Sequence, residues 1–302
     1  MYVMKNTYVG YISKNGIRFH HSRSVFDAEY EKETLALEAH HMCEIFLLLS
    51  GSVQYIIEGK SYQISPMEML IVAPGELHTL QMDTSQPYER MVLHFAPDLL
   101  PSLNDLDLFR PFHNAKTFTR IIPRRHVEKY DLFARMNLFK KICTEKGKYV
   151  DLNLVSAIIK ITKTLNDMLD DIAKENDFKD DVSLTNTTIS SLCIQYIHQH
   201  VTEHLSAENV AKALNISASH LQHTFKKEMG VNLRYYVLRQ KMYLAQRMLA
   251  QGEAAQSVAA ALGYECYSTF YHNYVKCFHR TPIDLKNINR SFFGKEIDNT
   301  DT

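Results

Sequence analysis

The feature that most constrains this chain is an internal repeat. Val210-Ala211-Lys212-Ala213-Leu214-Asn215-Ile216 matches Val258-Ala259-Ala260-Ala261-Leu262-Gly263-Tyr264 position by position. After one inserted residue, Ser219, Leu221, His223 and Phe225 correspond to Ser268, Phe270, His272 and Tyr274. Each copy reads as a short helix of small residues, a tight turn, an apolar plug and a second helix, which is a helix-turn-helix unit. Small residues such as Ala211 and Ala259 let the two helices cross closely. The second helix gathers Leu221 and Phe225, or Phe270 and Tyr274, on its inner face.

The outer faces of those second helices are short and polar. One carries Ser217, Ser219, Gln222, His223 and Lys226, and the other Tyr267, Ser268, Tyr271 and His272. Hydroxyls, amides and imidazoles hydrogen-bond base edges or phosphates, and Lys226 and Lys227 add positive charge. One such helix is merely a solvated surface. Two in matching positions, joined by a helix predicted over 233–250, point to double-stranded DNA as a partner. The overall balance of 34 Lys+Arg against 34 Asp+Glu argues the other way, because DNA binding wants a basic surface. The average conceals a division: residues 187–290 hold 11 basic and 6 acidic side chains, residues 1–186 hold 22 and 25, and the tail 291–302 holds 1 and 3.

The first part of the chain reads differently. From residue 8 to 95, short apolar runs are punctuated by Gly51, Gly59, Pro66 and Pro74-Gly75, and Val53, Tyr55 and Ile57 alternate with Ser52, Gln54 and Ile56. Many short strands at this spacing predict a β-barrel or sandwich. Leu132, Met136, Phe139 and Ile142 then recur at helical spacing within a helix predicted over 129–143. A longer stripe holds Leu152, Val155, Ile158, Ile159, Thr162, Leu165, Leu169 and Ile172, and serves equally well for packing on the barrel or for a homodimer seam through Leu152, Val155, Ile159, Leu165 and Leu169. Residues 173–188 are polar and acidic and read as a linker. Seven helices are predicted beyond it, the last over 283–290. The expected fold class is α+β in two domains: a β-barrel or sandwich with following helices over 1–172, and an all-α domain with two helix-turn-helix units over 189–290, ending in a polar tail over 291–302. The longest apolar run is 45–49, so no membrane span is expected. Five scattered cysteines without a C-x-x-C pair and no signal-peptide pattern fit a reduced, cytoplasmic protein.

On the run Ser-x-x-His-Leu-x-x-x-Phe-Lys-Lys-Glu-x-Gly over 217–230, on Arg239 with Ala245 and Leu249, and on Gly263-Tyr264 through Phe270 to Thr281-Pro282, the chain resembles the AraC/XylS family of bacterial transcription regulators. The resemblance implies that the helices over 217–229 and 267–278 enter successive major grooves, and that activation is the usual mode. The family commonly has Arg where His223 and His272 stand, Phe at Tyr274, Lys at Val275 and Gly at His279. Histidine carries its charge only conditionally, so these departures imply weaker or more pH-sensitive DNA binding.

The first domain resembles the family's effector-binding arm, a cupin-like β-barrel, through His40-His41-x-x-Glu44, with six residues before Gly51, and through Pro66 and Pro74-Gly75-Glu76-Leu77-His78. A small-molecule effector held by His40, Glu44, Tyr55 and His78 is expected, since barrel mouths gather a few polar groups over apolar walls. Metal-binding cupins use His-x-His, a Glu and a later His. Here Glu38 stands in the first position and Met67 replaces a usual glycine, so no metal and no cofactor are expected. The competing reading, a metal-dependent cupin enzyme with an accessory helical domain, needs a ligand set that the sequence shows as incomplete, and no other catalytic motif is present.

Overall fold

The computed structural model describes residues 5–12, 16–25, 32–34, 40, 42–83, 85–99, 108–113, 120–145, 147–175, 188–278 and 280–282. Among the described residues, ten strands make two sheets. The first has six strands in the order β1 (Lys5–Ile12), β2 (Ile17–Val25), β9 (Tyr88–Phe95), β4 (Cys43–Ser50), β7 (Met69–Val72) and β10 (Ile121–Ile122). The second has four, in the order β3 (Lys32–Thr34), β8 (His78–Asp83), β5 (Val53–Ile57) and β6 (Lys60–Ile64). All the strand pairs are antiparallel.

Strand β4 shows why one run can be apolar throughout. Its side chains alternate between two cores, with Ile45 and Leu47 packing outward under helices and Phe46 and Leu48 packing inward between the sheets. Strand β5 has only one buried face: Val53, Tyr55 and Ile57 turn inward while Gln54 is exposed. The β5–β6 hairpin closes on Glu58 and Gly59, both at positive φ, the handedness that two-residue hairpins favour.

After a short α1 (Arg110–His113), the outward core is roofed by α2 (Arg124–Lys129), α3 (Leu132–Thr144) and α4 (Val150–Glu175). The single helix expected over 129–143 is interrupted at Tyr130 and Asp131, the latter at φ 51°. Leu132, Met136, Phe139 and Ile142 remain its buried face. Helix α4 continues through Glu175, so residues 173–175 are helical rather than linker. Its inner side is Leu154, Ile158, Ile161, Leu165, Met168, Leu169 and Ile172. The proposed dimer seam is therefore corrected. Leu165 and Leu169 lie in the protomer's own core, where the barrel claims them, whereas Leu152 is 63% exposed and Val155 and Ile159 are half-buried.

The C-terminal domain comprises α5 (Ile189–Gln199), α6 (Ala207–Ala213), α7 (Ala218–Met229), α8 (Leu233–Ala250), α9 (Ala255–Ala261) and α10 (Tyr267–Phe278). The predicted helix over 283–290 and the tail lie outside the described residues. Two separate cores match the two repeats. Val210, Ala211, Leu221 and Phe225 centre one, and Val258, Ala259, Phe270 and Tyr274 the other. Helix α8 serves both, through Tyr236 and Val237 in the first and Met242, Ala245 and Leu249 in the second. The buried Lys241 ammonium donates to the carbonyls of Glu203 and Leu262, 2.8 and 2.7 Å away, and ties one unit to the end of the other's first helix.

The repeat is structural as well as sequential. Asn215 and Gly263, aligned in the two copies, both take the left-handed conformation at φ 55° and 73°. Glycine and asparagine tolerate that conformation best. A Cβ on Gly263 would also lie 3.1 Å from the Thr202 carbonyl oxygen. Gly263→Ala should therefore cost about 1–2 kcal/mol in chemical denaturation, whereas Asn215→Gly should be nearly neutral. Equal effects would contradict this account of the turn.

Candidate functional site

The inner face of the barrel converges on one carboxylate. Glu44 shares the inward face of β4 with Phe46 and Leu48, and it is 2% exposed. His94 is its direct cross-strand partner on β9. Tyr55 comes from β5, His78 opens β8, and His40 lies three positions ahead of the start of β4. Tyr55 donates its hydroxyl to Glu44 Oε1 at 2.5 Å. The other oxygen, Oε2, faces three imidazoles, with Nε2 of His40, His94 and His78 at 3.1, 3.2 and 3.4 Å. Nδ1 of His40 contacts the Met42 carbonyl at 3.1 Å, and Nδ1 of His78 contacts that of Glu76 at 2.8 Å. His20 stacks on His94 with ring centroids 6.0 Å apart.

Burial pushes the Glu44 carboxyl up, but the hydrogen bonds from His40, His78 and His94 more than reverse this and hold it well below the carboxylate range. Burial pulls His78 down, yet contact with Glu44 leaves it raised. Burial dominates at His40, which is lowered, and at His20, which falls to about 4. All four residues expected to line an effector pocket thus stand in one cluster. His94 and His20 join them unannounced, because no motif marks them and only strand register brings His94 opposite Glu44.

The recognition-type helices present their expected faces. Ser219, Gln222, His223 and Lys226 are exposed on α7, as are Ser268 and His272 on α10, and Tyr267 and Tyr271 are half-buried with their rings 6.2 Å apart. Ser217 is exposed and is also the N-cap of α7, accepting from the His220 backbone N–H at 3.2 Å. The His272 ring donates from Nδ1 to the Ser268 carbonyl at 2.8 Å. His220, Thr269 and Lys276 are exposed on the same two helices and were not singled out by the sequence reading.

The two domains meet between the 73–77 loop, the β5–β6 turn and helix α8. Gln240 donates its amide to the Gly75 carbonyl at 3.0 Å, and Leu77 packs into the core of the first helix-turn-helix unit. Leu77 N–H donates to Glu58 Oε1 at 2.6 Å, and the other Glu58 oxygen is hydrogen-bonded to the Tyr236 hydroxyl. His198 Nε2 lies 2.9 Å from that hydroxyl and 3.9 Å from Glu58 Oε2. Glu76 is neutralised in place by Arg120 through two contacts of 2.5 and 2.6 Å.

A barrel with a buried polar cluster, docked onto a pair of helix-turn-helix units, is the layout of a transcription regulator that carries its own sensor. The family model described as an AraC-like ligand binding domain matches residues 20–127, and one described as a helix-turn-helix domain matches residues 210–288. The chain belongs to the AraC family of transcriptional regulators. It is 26% identical over 156 residues to the lactose operon transcription activator of Staphylococcus xylosus, covering 50% of this chain and 54% of that one. It is 27% identical over 127 residues to a helix-turn-helix regulator of Bacillus subtilis named YtdP, covering 42% of this chain and 16% of that one. The chain thus spans about half or less of these two relatives. The probable transcriptional regulator LumQ of Photobacterium leiognathi is 21% identical over 80% of this chain and 88% of its own length. The crystal structure of ToxT from Vibrio cholerae aligns over 90% of this chain and 97% of its own, with 11% identity and a TM-score of 0.36, too loose an overlap to place any residue.

Two expectations follow from the domain contact. Burial first, and then the neighbouring Glu76 charge, pushes the Glu58 carboxyl up from 4.5 to about 8, against the opposing pull of Tyr236, the Leu77 N–H and Arg120. A carboxyl raised on docking favours the docked state most below its ordinary pKa, and that favour is lost as pH rises through about 8. Small-angle X-ray scattering should show the wild type opening between pH 6 and 9, with Glu58→Gln unresponsive. Identical profiles for the two proteins would contradict the assignment. Independently, a Cβ on Gly75, which sits at φ +88°, would fall 2.2 Å from the Tyr243 ring. Gly75→Ala should open the molecule at every pH without unfolding either domain, as read by scattering and circular dichroism.

Proposed function

We propose that this chain is a cytoplasmic, homodimeric regulator that reads promoter DNA with α7 and α10 and adjusts that reading when its barrel is occupied. The observation that carries the proposal is the pairing of two exposed polar helix faces across one shared helix, α8, which is also the surface that the barrel loop touches. Ser219, Gln222 and His223 on one helix, and Ser268, Tyr271 and His272 on the other, contact bases. Lys226 contacts phosphate, and Ser217 and Tyr267 orient the ends of the helices. The two helices address major grooves one turn apart, about 34 Å along one face of the duplex.

His40, Glu44, Tyr55 and His78 hold the effector. Gly75 N–H donates to the His40 carbonyl at 2.9 Å, and His78 is bonded to the Glu76 carbonyl, so a shift of either histidine reaches the loop that sits on α8. The effector then acts through its different affinities for two arrangements of the domains. The exposed Leu152, with Val155 and Ile159 at i+3 and i+7, is the part of the α4 stripe available to a second protomer. Among the described residues no helix is long and apolar enough to cross a membrane. No catalytic role is proposed for the barrel.

Gel-shift titration against genomic promoter fragments tests this reading, and sequence-specific binding is the expected result. Gln222→Ala and Tyr271→Ala should each change discrimination between sites by about 1–3 kcal/mol, while Lys226→Ala weakens binding on all sequences alike. Uniform losses for all three variants would overturn the assignment of base readers.

A further inference from the structure

We propose that the barrel takes a small hydroxylated carboxylate, with the Arg90 guanidinium as its counter-charge and with Tyr88 and His94 hydrogen-bonding the rest of the molecule. The proposal rests on the reading of the barrel as a sensing pocket. It extends that pocket to a wall on β2 and β9 that the Glu44 cluster does not include.

Strand register defines that wall. Tyr88 and Val92 of β9 belong to the core between the sheets, so Arg90 and His94 share their inward face by alternation. Arg90 also stands opposite Leu48, an inward residue of β4. On the other side of β9, the β2 residues Ser24, Ser22, His20 and Arg18 stand opposite Tyr88, Arg90, Val92 and His94. The inner face of β2 over this stretch is therefore polar, whereas Phe46, Leu48, Val53 and Ile57 fill the interior along β4 and β5. His20, Ser22 and Ser24 are half-buried. Short polar side chains held partly out of water offer room and hydrogen-bonding capacity to a bound molecule.

Charge selects the ligand. Arg90 is half-buried, and its guanidinium carbon lies over the Tyr88 ring, 4.9 Å from the centroid. Glu89, its neighbour on β9, turns to the other face and pairs with His21 at 2.7 Å. Glu44 is engaged by Tyr55 and the imidazoles. Among the described residues no carboxylate is paired with Arg90. A guanidinium fixed over a ring, partly out of water and without a counter-ion, is a preorganised fork for a carboxylate. Its charge reaches the groups around it. Burial first, and then Arg90, brings His20 down to about 4, while Arg90 opposes the burial that takes the Tyr88 phenol up to about 12. Both groups stay neutral, so Arg90 is the cation of this wall. One fixed positive charge matches one carboxylate better than a doubly charged phosphate.

Two orphaned atoms describe the rest of the molecule. The Tyr88 hydroxyl and His94 Nδ1 are buried and find no hydrogen-bond partner among the described residues. The neutral phenol has a proton to donate, and a carboxylate oxygen beside Arg90 would accept it. His94 Nε2 faces Glu44 Oε2 at 3.2 Å, and a carboxylate only accepts, so the ring proton sits on Nε2 and Nδ1 is left as an acceptor. That atom calls for a hydroxyl donor on the ligand. Tyr88 and His94 are six positions apart on β9, yet the Tyr88 phenol is raised by the Glu44 charge, and Tyr55 responds to both Tyr88 and Arg90, so these side chains approach one another across the interior. A neutral sugar lacks the group that Arg90 needs, and an unsubstituted alkyl acid lacks the one that His94 needs.

The test uses the full chain in titration calorimetry, with lactate, gluconate, glucuronate and galacturonate as probes against their neutral counterparts propane-1,2-diol, sorbitol, glucose and galactose. Saturable binding of at least one acid, and of none of the neutral compounds, is the expected result. Arg90→Gln and Tyr88→Phe should each weaken that binding by at least about tenfold, whereas Arg23→Gln, on the other face of β2, should leave it unchanged. Equal binding of an acid and its neutral counterpart, undiminished binding in Arg90→Gln, or no saturable binding of any acid would overturn the proposal. A second measurement needs no ligand. Because Arg90 and the Tyr88 hydroxyl are held for a ligand, Arg90→Met and Tyr88→Phe should melt at or above the wild-type temperature; lower melting of both would make them structural and count against the site. Promoter binding is followed by gel shift with and without each acid. Acid binding without specific DNA binding sinks the regulator reading alone, and specific DNA binding without acid binding sinks the carboxylate assignment alone.

Discussion

The segment from Ala73 to His78 belongs to both domains at once, and the rest of the structure depends on how it is held. Gly75 donates to the His40 carbonyl and accepts from Gln240, Leu77 enters the helical core, and His78 faces Glu44. No other side chain fits at Gly75, because its backbone is left-handed and the Tyr243 ring lies against it. Six residues thus place the Glu44 cluster and helix α8 on opposite sides of a single loop. An interaction of this kind couples two sites without a long chain of intermediates, because the same backbone is a partner to each.

Three buried carboxylates surround that loop, and each meets the cost of leaving water differently. Glu76 is paired with Arg120 in a two-pronged contact. Glu44 is surrounded by imidazoles and a phenol. Glu58, buried and with the Glu76 charge nearby, is held toward its neutral form. The first solution is rigid and charge-balanced. The other two lie at the barrel cluster and at the domain contact, and their surroundings there shift the carboxyl groups in opposite net directions.

Much of this was legible beforehand because it is local. The alignment of Asn215 with Gly263 marked a turn that only left-handed residues make comfortably, and α8 and α10 begin and end where the pattern placed them. His40, Glu44, Tyr55 and His78 were identified from motif spacing and strand alternation, and strand geometry brought them together. Other features were hidden because they are not local. His94 has no motif around it, and its place opposite Glu44 follows from the register of β9 on β4. Leu165 and Leu169 have the same spacing whether they pack on a barrel or on a second protomer, so periodicity could not assign them.

By itself the sequence determined the two-part plan, the paired helix-turn-helix units and the polar faces they turn outward. Periodicity, small residues and turn chemistry act over a few residues and survive without tertiary context. Only the tertiary structure decided that the histidines of three different segments meet at one carboxylate oxygen, and that Glu58 and Gly75 meet helix α8 across more than 160 positions of chain. Contacts of that range are chosen by packing and by the need to satisfy buried polar groups, and neither leaves a repeat to be read along the chain.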